Sequence, residues 1–153
     1  MKSLLDALIP GLLDPQARNL ALQVQWLPLQ GLGLETPFPV AVVGQGPPLL
    51  MLHGFDSSFL EFRRLAPLLA DRFQLFIPDL FGFGFSPRPL QASYGPEAVL
   101  RHLDSLVAHL DADGAIGVIG ASMGGAVAVE LARRQPERIH QLLLLAPAGL
   151  TGR

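Results

Sequence analysis

The sequence predicts one α/β domain, with a mostly parallel sheet, helices on both faces and an antiparallel hairpin at the N-terminal edge. Three observations lead there. Short continuous apolar runs, of which Leu49-Leu50-Met51-Leu52 is the clearest, suit strands covered on both faces. Longer stretches with apolar residues at helical spacing lie between them, and alternating strands and helices imply right-handed crossovers within a parallel sheet. Half of the 153 residues are apolar and only 16% are charged, which suits buried parallel strands and also a core whose other half is missing.

The elements follow in order. Residues 3–13 have the apolar content of a short helix, with Leu4, Leu5, Leu8, Ile9 and Leu12, and Pro15 is expected to end it. Residues 1–18 read as a helical extension and 19–153 as the core. Residues 20–30 alternate apolar and polar over part of their length, the period of a half-buried strand. Gly31 and Gly33 mark a turn, and residues 38–43 form the second strand of a hairpin. Gly44-Gln45-Gly46-Pro47-Pro48 ends it. The apolar run at 49–52 is the third strand. Residues 58–70 predict a helix, with Phe59, Phe62, Leu65, Leu68 and Leu69 on one side.

Gln74–Ile77 is the fourth strand, closed by Pro78-Asp79. The segment from Phe81 to Gly95 is a long loop, and loops of that length often serve a site. Residues 96–110 form a helix whose apolar face is Val99, Leu103, Leu106, Val107 and Leu110; His102 and His109 are expected at its surface. Ile116–Ile119 is a strand, 123–134 a helix, and Ile139–Leu145 the last strand.

Charge excludes some functions. The net charge is −2, with no basic stripe, so nucleic-acid binding has no electrostatic footprint. There is no cysteine, which removes disulfides and thiolate metal sites. No metal or cofactor is implied. The apolar N-terminus after Lys2 is interrupted by Asp6, Pro10 and Asp14 and lacks a clean small-x-small cleavage site, so no signal peptide is expected. No window can span a bilayer. A short amphipathic helix resting on the domain or on a membrane is expected, in a cytoplasmic protein.

Three segments carry chemistry. Gly120-Ala121-Ser122-Met123-Gly124 matches G-x-S-x-G between a strand and a helix. A serine on such a tight turn projects its hydroxyl beyond the sheet, and side chains at 120 or 124 would strike the neighbouring strand or helix. The helix starting at Met123 aims free N–H groups and a positive dipole end at the site. A serine that only caps a helix is the plain alternative. His53-Gly54-Phe55-Asp56 follows a buried strand. Its Phe55 N–H, with the Met123 N–H, is expected to hold a substrate oxyanion. His53 is expected to be a hydrogen-bonded structural histidine, and Asp56 to organise the loop or cap the next helix. In Pro78-Asp79-Leu80-Phe81-Gly82-Phe83-Gly84-Phe85-Ser86, Asp79 is either an acid or, more simply, an anchor for backbone N–H groups.

In their order and separations these segments resemble the α/β-hydrolase family, in its esterase, lipase, epoxide-hydrolase and ring-cleavage-product-hydrolase branch. The resemblance covers about residues 20–150 and includes Leu143-Leu-Leu-Ala-Pro-Ala-Gly149 after the serine helix. It implies an α/β-hydrolase fold truncated after its sixth strand. It also implies an acyl-enzyme on Ser122, supported by His53, Gly54, Asp79, Gly120 and Gly124. A serine at 122 argues against the epoxide-hydrolase and dehalogenase branches, whose nucleophile is usually Asp. The family's acid and histidine follow the nucleophile. Here only Glu137 and His140 lie beyond the serine helix, and both precede the last strand, at the wrong end of the sheet. The sequence is therefore expected to be part of a longer gene product, or to be completed by a partner chain. Alone, it is expected to turn over a small apolar ester or ketone very weakly. The alternative is an inactive hydrolase-like binding or scaffold protein.

Overall fold

The computed structural model describes residues 2–29, 36–110 and 115–149. Helix α1 (Lys2–Leu8) runs into a 3-10 turn (Ile9–Gly11), and helix α2 (Pro15–Ala21) follows. Strand β1 (Val24–Leu27) pairs antiparallel with β2 (Phe38–Val43), as expected of a leading hairpin. Next come β3 (Pro48–Leu52), a 3-10 turn (Phe59–Phe62), α3 (Ala66–Leu69) and β4 (Gln74–Pro78). Helix α4 (Pro96–His109), β5 (Ile116–Ala121), α5 (Met123–Arg134) and β6 (Ile139–Leu145) complete the chain.

The six strands form one sheet in the order β1-β2-β4-β3-β5-β6. β2 is antiparallel to β4, whereas β4, β3, β5 and β6 are mutually parallel. From β3 the chain crosses to β4 on one side and then to β5 on the other. The strand direction of travel thus reverses between β3 and β5, and the crevice at their carboxyl ends is where such sheets bind ligands.

The period-2 strand pattern divides the core into two layers. Leu50, Leu52 and Val118 face α4 and α5, where they pack with Leu103, Leu106, Ala128 and Leu131. Leu49, Met51, Leu75 and Ile77 face the other way, against Leu5, Leu20, Phe59 and Phe62. β6 is the exception. Leu142, Leu143 and Leu145 are exposed, and a groove of about 650 Å³ opens beside it over Leu49, Phe73, Gly117 and Leu143.

Several expectations change. Pro15 begins a helix instead of ending one. It takes the first helical position, where its missing N–H costs nothing, and the Asp14 carboxylate accepts from the Gln16 and Ala17 N–H groups. The same carboxylate takes the Arg63 Nε at 2.7 Å, and that bond holds Asp14 below the usual carboxylate range. Leu20 and Ala21 therefore belong to α2, and the first strand starts only at Val24. The turn expected at Gly31 and Gly33 lies outside the described residues, as do Leu150–Arg153. No continuous helix spans 58–70. Ser58 caps a 3-10 turn, Pro67 lacks the N–H an ongoing helix would use, and Leu68 points to solvent at 73% exposure.

His102 is not a surface residue. It is fully buried, with its ring 4.6 Å from that of Phe38, and neither ring nitrogen finds a partner among the described residues. Burial pushes its pKa down to about 3. No described helix is long and apolar enough to cross a membrane.

Candidate active site

Ser122 sits between β5 and α5 with φ 51° and ψ −117°. That is left-handed backbone, which a side chain adopts only under strain. The turn is held by hydrogen bonds on both sides. The Ser122 N–H donates to the Leu145 carbonyl at 3.0 Å, and the Ser122 carbonyl accepts from Gly125 at 3.0 Å and from Ala148 at 2.9 Å. The strand after the serine helix, with its following loop, thus clamps the turn. Sequence patterning had shown the segment but not this role. Ser122 itself is exposed.

The glycines let three backbones meet. A Cβ on Gly124 would overlap the Leu52 and His53 carbonyls at the end of β3, and one on Gly120 would overlap the start of α5. The first turn of α5 therefore lies directly against the end of β3. The Met123 N–H, at the first position of this helix, has no partner among the described residues.

The loop after β3 reaches the same place. The position a Cβ would take on Gly54 lies 3.3 Å from Ser122 Cβ. Two contacts set the peptides around Gly54. The Leu80 N–H donates to His53 Nε2 at 3.0 Å, so the neutral ring carries its proton on Nδ1, which donates to the Gly54 carbonyl at 2.7 Å. In a trans peptide the carbonyl and the next N–H point oppositely, so this bond turns the Phe55 N–H away from His53. On the other side, the Gly54 N–H donates to Glu61 Oε2 at 2.7 Å. Glu61 escaped the sequence reading: it lies on the 3-10 turn, seven residues on, and no pattern marked it.

Asp79 is fully buried. Its carboxylate accepts from the Phe59 N–H at 2.7 Å and the Phe85 N–H at 2.6 Å, which ties the 3-10 turn to the loop after β4. Desolvation pushes its pKa up to about 6 against the pull of those bonds. A Cβ on Gly84 would strike this carboxylate. Asp56 is exposed, with φ 53°, at the turn after Phe55; no capping bond from it is present, and Ser58 caps the turn instead.

The loop phenylalanines divide. Phe83 packs edge-on to Phe55 at 5.5 Å and to His53 at 5.8 Å. Phe81 is buried and stacked on Tyr94, and Phe85 leans on Phe59. Of the three, Phe83 is the one that packs beside Phe55. His140 lines the groove at the opposite end of the parallel strands, and Glu137 is exposed at that end too.

Comparison with known proteins identifies the family of the fold. Residues 47–151 match the family model described as alpha/beta hydrolase fold. The chain is 35% identical over 111 residues to 2-hydroxymuconate semialdehyde hydrolase of Pseudomonas sp. (strain CF600), covering 71% of this chain and 39% of that protein. It is 40% identical over 104 residues to Lipase 1 of Psychrobacter immobilis, covering 68% and 32%. Among solved structures it resembles the epoxide hydrolase CorEH, with a TM-score of 0.72 at 29% identity, covering 85% of this chain and 46% of that one. It likewise resembles the meta-cleavage product hydrolase CumD of Pseudomonas fluorescens IP01, with a TM-score of 0.74 at 26% identity, covering 84% and 47%. The chain thus spans less than half the length of these relatives. Across its parallel strands and the serine turn between them, the chain belongs to the α/β-hydrolase-fold family.

Proposed function

We propose that Ser122 is the nucleophile of a serine hydrolase that attacks an ester or ketone carbonyl and passes through an acyl-enzyme. One observation carries this reading: an exposed serine in strained backbone, flanked by a helix N-terminus and by the Gly54 loop, at the carboxyl ends of β3 and β5. Strained backbone is kept where the surroundings over-determine it, and such places are often reactive sites.

In this reading the Ser122 hydroxyl adds to the carbonyl carbon and loses its proton to a base. The N–H groups of Phe55 and Met123 hold the oxyanion. The leaving group departs, and water cleaves the acyl-enzyme by the same route in reverse. Asp79 acts through the loops it anchors. His53 cannot serve as the base, because its Nε2 lone pair is committed to Leu80 and its Nδ1 proton to Gly54. The base and its acid therefore come from polypeptide beyond these residues, in the same gene product or in a partner chain. The uncovered face of β6 supports such a completing segment. The names of the relatives, a lipase and a semialdehyde hydrolase, support carbonyl substrates.

The test is hydrolysis of para-nitrophenyl esters by the protein as expressed from its own gene. Ser122→Ala should lower kcat by several orders of magnitude. Residues 1–153 alone should turn over very weakly, and robust Ser122-dependent hydrolysis by that segment would sink the requirement for a further one.

A further inference from the structure

We propose that Glu61 is a specificity-determining residue of this site, a fixed negative charge that selects neutral acyl groups over anionic ones. The inference rests on the serine-hydrolase reading and deepens it.

Glu61 lies on the 3-10 turn after the Gly54 loop. Its Oε2 accepts the Gly54 N–H at 2.7 Å, a charge-assisted bond that holds one oxygen in a defined place. That oxygen lies 3.6 Å from the point where a Gly54 side chain would begin, and Ser122 Cβ lies 3.3 Å from the same point. The Ser122 side chain and the Glu61 carboxylate thus flank one glycine. Oε2 and Ser122 Cβ are therefore at most about 7 Å apart, so an acyl group bonded to Ser122 begins inside the screening length of physiological salt, about 8 Å.

No direct ion pair offsets this charge. No salt bridge to Glu61 forms among the described residues. Arg88, on the adjoining loop, gives its Nε and Nη2 to the Gly82 and Gly84 carbonyls. His53, the other titratable group at Gly54, is held below its ordinary pKa by burial and is neutral. A carboxylate in the substrate therefore meets repulsion from a Glu61 charge that no cation pairs with among the described residues. A neutral acyl chain of equal length meets none.

The isostere separates charge from geometry. In Glu61→Gln the side-chain carbonyl still accepts the Gly54 N–H while the charge is gone. The experiment compares kcat/KM for para-nitrophenyl hexanoate and mono-para-nitrophenyl adipate, using the protein as expressed from its own gene. Asp71→Asn makes the same change in net charge at the other end of the sheet and serves as the control.

Glu61→Gln should raise the adipate-to-hexanoate ratio about fivefold or more, with the wild-type discrimination narrowing in molar salt, while Asp71→Asn leaves the ratio in place. An unchanged ratio in Glu61→Gln, or an equal rise in Asp71→Asn, overturns the inference while Ser122-dependent hydrolysis stands. Absence of hydrolysis in the wild type, or hydrolysis that survives Ser122→Ala, overturns the serine-hydrolase reading and this inference with it.

Discussion

The Leu80 N–H is bonded to His53 Nε2 at 3.0 Å, and this single contact fixes the tautomer of a ring whose other nitrogen holds the Gly54 carbonyl. Leu80 follows β4 and Gly54 follows β3, so the ring couples two loops from neighbouring strands. Removing the ring frees the Gly54–Phe55 peptide to rotate. If Ser122 and the Phe55 N–H act as proposed, His53→Ala lowers kcat tenfold or more with a smaller change in KM, as loss of an aligned oxyanion donor does. Steady-state kinetics check this, and a purely KM effect would contradict it.

His102 and Asp79 act on stability in opposite directions as pH changes. His102 has a folded pKa of about 3 against an ordinary 6.5, so its neutral form stabilises the fold above pH 6.5, and stability is lost as pH falls toward 3. Asp79 has a folded pKa of about 6 against 3.8, so stability falls as pH rises between those values. The two slopes largely offset each other in that window. His102→Leu removes one of them and also removes two unpaired buried nitrogens. The variant should be more stable than wild type near neutrality. Its advantage should grow by roughly 1.4 kcal/mol per pH unit on acidification below the ordinary histidine pKa. Urea midpoints measured across the acid range decide it.

Strain at Ser122 should be visible as lost stability. Glycine adopts φ 51° without penalty. Ser122→Gly is expected to stabilise the fold by about 1 kcal/mol while abolishing turnover, with Ser122→Ala showing no such gain. Equilibrium unfolding of the three proteins is the measurement. Equal stability of Gly and Ala variants would mean that the turn carries no strain.

Gly124 has no room for a methyl group. Gly124→Ala drives a Cβ into the Leu52 and His53 carbonyls, which belong to backbone and cannot swing aside. A loss of about 1–3 kcal/mol is expected, although alanine favours helices elsewhere. A melting temperature at or above that of wild type would refute the close approach.

The bare leucines of β6 should make the isolated 153-residue chain self-associate. Leu143 is 53% exposed on the uncovered face beside the groove. Leu143→Lys is expected to shift sedimentation toward monomer without lowering the unfolding midpoint, since edge charges block strand-to-strand association. A monomeric wild type at micromolar concentration would count against it.

Some of this was readable in the sequence. The alternation of apolar runs and helical spacing located β2 to β6, and Gly120-Ala121-Ser122-Met123-Gly124 located the turn between β5 and α5. What was missed depended on tertiary partners or on a local signal of double meaning. Pro15 can stop a helix or start one, and Asp14 before it decides the matter through bonds to Gln16 and Ala17. His102 lies one residue from Leu103 on α4 and looked polar, yet the apolar face is wide enough to bury it against Phe38. Glu61 carries no local signature, because its partner Gly54 is defined only once the 3-10 turn folds back. Phe81 differs from Phe83 only in which side of a bend it occupies, and Tyr94 settles that by stacking.

The bonds from Ser122 to Leu145 and Ala148 also order events in time. On the ribosome the serine emerges more than twenty residues before Leu145 and Ala148, which clamp it. Until β6 pairs with β5, a nascent chain lacks two of the bonds that hold residue 122 in left-handed backbone. The strained turn at Ser122 is thus completed only after β6 and the loop behind it have been made.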